Sequence, residues 1–402
     1  MKSEKLRIGV IGAGGRGTLA AHWATGARSE LVAAADPRPE GFEELARATK
    51  GASFERLGDY RQLLDRSDIG AVAICSPDWL HEEHAVAALE AGKHVYCEKP
   101  LAVTVAGCDR ILSTVRRTGM RFMIGFNMRY MNFTRVMKEI VDSGAIGEVR
   151  AAWCRHFVGY GGQFYYHDWH AEKRNTTSLL LQMGSHDIDI IHWICGSFSR
   201  RVSGFGTLSY FGGEMADDLV CPKCDRRGEC PEDMSGLARR ADRQRCCFRR
   251  GVDVPDNQMV MMQLASGVQA CYLQNHFTPD YFRNYTFIGT EGRLENVRAP
   301  GEETEIGCGE SLVRVWTRPR GDWKHYANRE YHVKPAGEGG HGGSDERIAA
   351  DFVDFVLDGR KPVTSAAAGR MSVAVGCLGA ESIAQGGVPI DVPPLAPELM
   401  DL

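Results

Sequence analysis

The chain has 402 residues, 43% of them hydrophobic and 25% charged, with a formal net charge of −4. At roughly 150 residues per domain, that length calls for two or three domains with full-sized cores. Acidic and basic residues are interleaved, so no basic face is available for nucleic acid, and no apolar run is long enough to span a bilayer. The opening MKSEKLRIGVIGAGG carries too short an apolar stretch for a signal peptide. A cytoplasmic, reducing setting is therefore expected, with the 13 cysteines acting as thiols or metal ligands rather than disulfides.

In chain order, LRIGVI (6–11) is a short β-branched apolar run ended by glycines and reads as a buried parallel strand. A helix is expected over 17–28, a strand at LVAAAD (31–36), a helix at FEELARAT (42–49) and a strand at AVAIC (71–75). An amphipathic helix at EEHAVAALEAG (82–92) closes on Gly92 and is followed by the strand HVYC (94–97). This alternation predicts an α/β fold opening with a parallel sheet covered by helices, a Rossmann domain over 1–124. Beyond it, 148–158, 259–265, 268–277 and 285–297 are strand-like without intervening helices. They predict a second α/β domain over 125–402, built on a large, open, mainly antiparallel sheet, with late helices at 348–359 and 372–384. The Gly-, Glu- and Arg-rich stretch 298–343 reads as a surface excursion, and a Cys-rich insertion occupies about 215–250.

Gly12-Ala13-Gly14-Gly15-Arg16-Gly17 is a G-x-G-x-x-G turn between a strand and a helix. The first glycine permits the turn, the second lets backbone approach a pyrophosphate, and the third lets strand and helix pack. Phosphates would then sit on the helix N-terminus. Asp36 ends the second strand about 20 residues on, where a carboxylate accepts hydrogen bonds from a ribose. It would also repel a 2′-phosphate, which favours NAD over NADP, although Arg38 could partly neutralise that repulsion. Ser76, Pro77 and His81 follow a strand end, where loops line the cofactor cleft.

At Cys97-Glu98-Lys99-Pro100, preceded by EAGKHVY, the sequence resembles the Gfo/Idh/MocA oxidoreductases. Gly125-Phe126-Asn127 with Arg129-Tyr130, DSGAIGEV (142–149) and Gly184-Ser185-His186-Asp187-Ile188-Asp189 extend the resemblance over most of the chain, least over 206–256 and 298–343. The resemblance implies a Rossmann domain followed by an α/β domain whose open sheet often carries a homo-oligomer interface, a dimer or tetramer. It implies that Glu98 and Lys99 lie at the cofactor, with Lys99 beside the nicotinamide, often through a cis bond to Pro100. A lysine there, desolvated and facing a cationic ring, has its ammonium form disfavoured and suits a general base.

Gln182, His186 and Asp189 have helical spacing that places them on one face. In similar dehydrogenases an Asp usually precedes the His; here Gln182 stands in its place, and glutamine can orient a substrate but cannot take a proton. Lys99 and His186 are thus the expected catalytic pair. Arg129, Tyr165, Tyr166, His167, Trp169, Lys173 and Arg174 are expected to join Gln182, His186 and Asp189 in binding a sugar. The aromatic residues would serve as platforms, and the basic pair would meet an anionic substituent such as a carboxylate or sulfonate. Cys221, Cys224, Cys230 and Cys246 supply four thiolates for a structural zinc site in a segment with little apparent core of its own.

The expected activity is NAD-dependent oxidation of a hydroxyl on a sugar, glycoside or cyclitol. A rival is redox-neutral glycoside hydrolysis through transient oxidation at C3, elimination, water addition and re-reduction. A third reading, a non-catalytic NAD-binding sensor, leaves Glu98-Lys99-Pro100 and His186 without a purpose.

Overall fold

The computed structural model describes residues 5–24, 26–237, 243–303, 308–318, 326–338 and 340–402. The chain forms two compact units, one of residues 1–135, 335–373 and 394–402, the other of 136–334 and 374–393. Among the described residues no helix is long and apolar enough to cross a membrane.

The first unit is built on six parallel strands: β1 (Leu6–Ile11), β2 (Ser29–Ala35), β3 (Glu55–Leu57), β4 (Ala71–Ile74), β5 (His94–Cys97) and β6 (Phe122–Ile124). Their order is β3-β2-β1-β4-β5-β6, so the order reverses between β1 and β4. A parallel sheet is covered on both faces, and β1, β4 and β5 are accordingly almost continuous runs of buried apolar residues. The expected helix over 17–28 is instead a tight 3₁₀ turn, Gly15–Ala20, followed by the short helix Ala21–Ala24, with Thr25 outside the described residues. Two glycines in the first turn weaken α-helix formation there.

The second expected domain does not hold residues 125–402 together. The helix Ser344–Asp358 carries Ile348, Phe352, Val353 and Val356 on one stripe. That stripe joins the core of the six-stranded sheet with Ile8, Val10, Tyr96 and Trp23. Trp23 meets Tyr96 and Phe352 edge-on at 5.5 and 5.8 Å, and its indole N–H donates to the Ala349 carbonyl at 3.0 Å. Burying each such large side chain contributes about 1.5–3 kcal/mol, which draws this distant segment into the first unit.

The second unit contains a nine-stranded sheet of β7 (Val149–Gly159), β8 (Ser199–Thr207), β9 (Asn257–Leu264), β10 (Gln269–Thr278), β11 (Phe282–Gly289), β12 (Gly292–Arg298), β13 (Ser311–Thr317), β14 (Arg329–Val333) and β15 (Ile390–Asp391). The order is β14-β13-β12-β11-β7-β10-β9-β8-β15. Only β7 and β10 pair in parallel, and the remaining neighbours are antiparallel. Two expectations change here. The run 285–297 is a hairpin, β11 turning into β12 at Thr290-Glu291, rather than one strand. The stretch 298–343 supplies the edge strands β13 and β14 besides surface loops; 304–307, 319–325 and 339 lie outside the described residues. Period-2 alternation sets one face of β7 inward through Ala152, Cys154, His156 and Val158. The helix Gly184–Cys195 packs over β7 and β10 on that face.

The Cys-rich insertion is anchored near its end by Cys247 and the partly buried Phe248, which pack with Phe211, Val252 and Val254 and with Tyr166, Ala171, Leu179 and Met183 from the flanking chain.

Candidate functional site

In the first unit, every candidate cofactor residue follows the carboxyl end of a strand. The glycine turn follows β1, Asp36 follows β2, Ser76-Pro77 follows β4 and Glu98-Lys99-Pro100 follows β5. Parallel strands deliver all these ends to one edge, at the point where the strand order reverses. Gly12 has φ +90°, and a Cβ there would lie 2.7 Å from the backbone of Cys75 and Ser76. A Cβ on Gly17 would lie 2.1 Å from the Gly12 carbonyl oxygen. Both sites therefore require glycine, and the backbone they leave bare is a cradle of the kind a pyrophosphate needs.

Asp36 is 3% exposed; its carboxylate accepts from the Ala13 N–H at 3.0 Å and from the Arg38 N–H at 2.9 Å, with the Arg38 guanidinium at 3.4 Å. It is thus pinned against the turn. Gly41, which the sequence reading passed over, allows this, since a Cβ there would sit 2.8 Å from the Asp36 carboxylate. Glu44 was also passed over. It accepts from the Gly15 N–H at 2.8 Å, a donor for which a phosphate oxygen would compete. Gly14 lies against the same pair, 3.3 Å from Glu44 and Gly41 as measured from a Cβ.

Arg16 turns toward protein. It donates to Glu98 at 2.8 Å and to Asp345 at 2.9 Å. Burial opposes its charge, but Glu98 and then Asp345 outweigh burial and hold the guanidinium firmly protonated. Burial likewise opposes Asp345, yet His341 and Arg16 keep its carboxyl well below the usual range. Glu98 further accepts from Tyr96 at 3.1 Å and from the Lys99 N–H at 3.3 Å, and Asn127 donates to Asp345 at 3.1 Å. The Lys99–Pro100 bond is cis. His81, buried, faces the carbonyls of Ser76 at 2.9 Å and Pro100 at 2.7 Å, so it clamps the β4 loop to the Lys99-Pro100 turn. Next to it, Ser76 bonds His84 at 2.9 Å, and burial pushes His84 down to about 4. Arg129 is buried and donates to the Val363 carbonyl at 2.7 Å. Sequence reading identified the strand-end residues in this unit but not Asp345, which lies 329 positions beyond the Arg16 it holds.

In the second unit, Gln182 ends the helix Leu179–Gln182 and His186 lies in the helix Gly184–Cys195, with Met183 between them still in helical backbone. Gln182 and Asp189 are buried, and His186 is partly exposed. Behind them stands Asp187, fully buried, which sequence reading quoted but gave no role. It pairs with Arg283 at 3.2 Å and His156 at 3.2 Å, and Tyr285 donates to it. Burial would raise its carboxyl, but Arg283 and then His156 hold it far below the usual range.

The loop after β7 divides its residues. Tyr165 donates to the Met183 sulfur at 2.6 Å. Tyr166 is fully buried, stacks on Phe211 at 4.0 Å and donates to the Pro255 carbonyl at 2.9 Å, so it belongs to the core. His167 turns toward the cysteine segment, with Nδ1 2.7 Å from the Arg245 carbonyl and 3.7 Å from the Cys221 sulfur. Trp169 stacks on His170 at 3.5 Å, and Asp168 meets His170 Nδ1 at 2.5 Å. Asp168 and His170 belong to the same aromatic and polar run, 165–170, whose hydrogen-bonding groups suit a sugar. Lys173 is exposed, while Arg174 pairs with Glu172, a carboxylate that also holds Arg245 and Arg249. Burial opposes the Glu172 charge, but Arg245 and its neighbours keep its carboxyl low.

Comparison with known proteins agrees with this layout. Residues 6–126 match a family model described as an oxidoreductase family with an NAD-binding Rossmann fold, and 134–295 match the GFO/IDH/MocA C-terminal domain. YteT of Bacillus subtilis is 24% identical over 371 residues, 83% of each chain. Inositol 2-dehydrogenase of Klebsiella pneumoniae is 32% identical over 200 residues, 49% of this chain and 56% of that one, so the match spans about half of each protein. The solved structure of levoglucosan dehydrogenase in complex with NADH and levoglucosan has the same fold. Its TM-score is 0.75 at 23% identity, covering 97% of this chain and 100% of that chain.

Proposed function

Because the chain belongs to the Gfo/Idh/MocA oxidoreductase family, we propose that it is an NAD-dependent enzyme oxidising a hydroxyl of a sugar, glycoside or cyclitol. The observation that carries this reading is the gathering of the glycine turn, Asp36 and Glu98-Lys99-Pro100 at the carboxyl ends of β1, β2 and β5 in one parallel sheet. Bound NAD supplies the hydride acceptor. Gly12, Gly14 and Gly17 let backbone approach its pyrophosphate, and Gly15 N–H donates to a phosphate oxygen once Glu44 gives way. Asp36 accepts from the ribose and disfavours a 2′-phosphate. Lys99 takes the proton of the substrate hydroxyl, with Arg16 and Glu98 positioning its turn. His186 is the second proton-handling group, and Gln182 and Asp189 orient hydroxyls. Trp169 and Tyr165 offer aromatic faces to the ring, and Lys173 and Arg174 offer charge to an anionic substituent. The inositol and levoglucosan dehydrogenases among the similar proteins support a polyhydroxylated ring as substrate.

A second reading is redox-neutral glycoside hydrolysis. It draws on the His170–Asp168 pair, an oriented imidazole beyond His186 that could serve elimination and water addition. Incubating the protein with NAD and a panel of cyclitols and aryl glycosides separates the two. NADH that accumulates with substrate supports the dehydrogenase. Aglycone released without net NADH supports hydrolysis. NAD binding with neither product would overturn both in favour of a sensor. The reading includes a cytoplasmic homo-oligomer assembled through the outward face of the nine-stranded sheet, where Phe205 and Met261 are exposed; sedimentation tests the assembly.

A further inference from the structure

Independently of the oxidoreductase reading, the cysteine segment of the second unit has a site of its own. Cys221, Cys224, Cys230, Cys246 and Cys247 line one cavity of about 20 Å³ together with His167 and Glu232. That room holds one water-sized species, too little for an organic ligand. His167 is 1% exposed, and its Nδ1 faces the Arg245 carbonyl at 2.7 Å. Nδ1 therefore carries the proton and Nε2 the lone pair. Nε2 is buried and meets no hydrogen-bond partner among the described residues. A carbonyl that fixes the tautomer while the other nitrogen points into a thiol-lined cavity is the usual arrangement of a metal-binding histidine. Ligand atoms of His167, Glu232 and Cys247 lie within 4.8 Å of one another. Among the described residues the four thiols Cys221, Cys224, Cys230 and Cys246 do not reach that spacing by themselves, although they line the same cavity.

We propose that this cavity binds one structural zinc ion through His167 Nε2, the Cys247 thiolate and a Glu232 carboxylate oxygen, with a thiolate from Cys221, Cys224, Cys230 or Cys246 as fourth ligand. The donor set suits the metal: thiolate, imidazole and carboxylate all bind zinc in a tetrahedral shell. The two thiols release their protons to solvent as the zinc–sulfur bonds form, while the imidazole binds through its Nε2 lone pair. The ion would tie the insertion to the loop that carries Trp169 and His170.

Elemental analysis of the dialysed full chain should find about one zinc per chain. Replacing it with Co²⁺ should produce a sulfur-to-cobalt charge-transfer band and tetrahedral ligand-field bands. His167→Gln should lose the metal to a chromophoric chelator about tenfold or more readily, whereas Cys108→Ser, which does not line the cavity, should not. A wild-type chain that neither carries zinc nor has its 221–247 thiols protected by added Zn²⁺ overturns the proposal, as does iron with labile sulfide. His167→Gln retaining zinc like wild type removes His167 from the ligand set. Should that variant fail to fold, the Co²⁺ spectrum of the wild type decides alone.

Discussion

Both units bury a carboxylate beside an arginine, with different surroundings. In the first unit Asp345 and Glu98 grip Arg16 at the rim of the glycine turn, where the arginine side chain is 35% exposed. In the second, Asp187 is sealed on the sheet-facing side of the helix Gly184–Cys195 with Arg283, His156 and Tyr285, its side chain wholly inaccessible. A charge at a rim is partly hydrated and exchanges partners cheaply. A sealed charge depends on every partner, because removing one leaves the others desolvated. The rim cluster is therefore suited to holding a working turn in place, and the sealed cluster to fixing how the helix that carries His186 sits on its sheet.

The largest expected effect lies on the chemistry that these clusters support. Lys99→Ala should lower kcat by about 10²–10⁴-fold or more while NAD affinity stays near wild type, because the role proposed for it is proton transfer. His186→Asn should lose about 10²–10⁴-fold in kcat and one limb of the pH–rate profile, with KM changing far less. If Lys99→Ala retains substantial turnover, or His186→Asn loses only affinity, the corresponding assignment falls.

Next in size is the contrast between the clusters. Asp187→Ala should cost about 3–5 kcal/mol by denaturant unfolding, the usual penalty for breaking a sealed pair. Arg16→Met leaves the buried Glu98 and Asp345 carboxylates without their shared cation, but at a part-exposed rim that water reaches, so it should cost less, about 1–3 kcal/mol. Equal losses would erase the distinction.

Acid should act on both. Asp187 and Asp345 have folded pKa values depressed below the unfolded value. Their stabilising contribution is therefore fully present above about pH 4 and is lost as pH falls below it toward the folded values. Unfolding free energy should decline on that side, and less steeply in Asp187→Asn. A decline confined to the alkaline side would contradict both assignments.

The smallest effect is selectivity. Asp36→Ala should shift the NAD:NADP preference by about tenfold, roughly 1.4 kcal/mol, since its carboxylate is held against the turn. A wild-type preference for NADP would sink that reading.

How much of this was legible in the sequence varies by element. β1 and β5 were read at their observed bounds, and β2 and β4 nearly so, because runs of buried apolar residues ended by a turn announce parallel strands. β3 and β6, three residues each, are too short to show a period. The hairpin β11–β12 read as one strand because its tight turn, Thr290-Glu291, interrupts the alternation too briefly. In the loop after β7, adjacent aromatic and polar residues looked alike as sugar contacts, yet Tyr166 entered the core and His167 turned to the thiols.

The sequence by itself determined what depends on neighbouring backbone: the parallel strands, the glycines that the turn requires, the acidic strand end and the order of two unlike domains. These are short-range steric demands, legible wherever the residues stand side by side. Only the tertiary structure decided which unit owns the helix Ser344–Asp358 and which carboxylates meet Arg16. It alone seated Asp187 against β7 and β11 and aimed His167 at the cysteine cavity. Those outcomes depend on burial shared between segments far apart in the chain, and on which face of a strand or turn a side chain leaves. A residue's neighbours in sequence leave that choice open until the sheet and its covering helices have assembled.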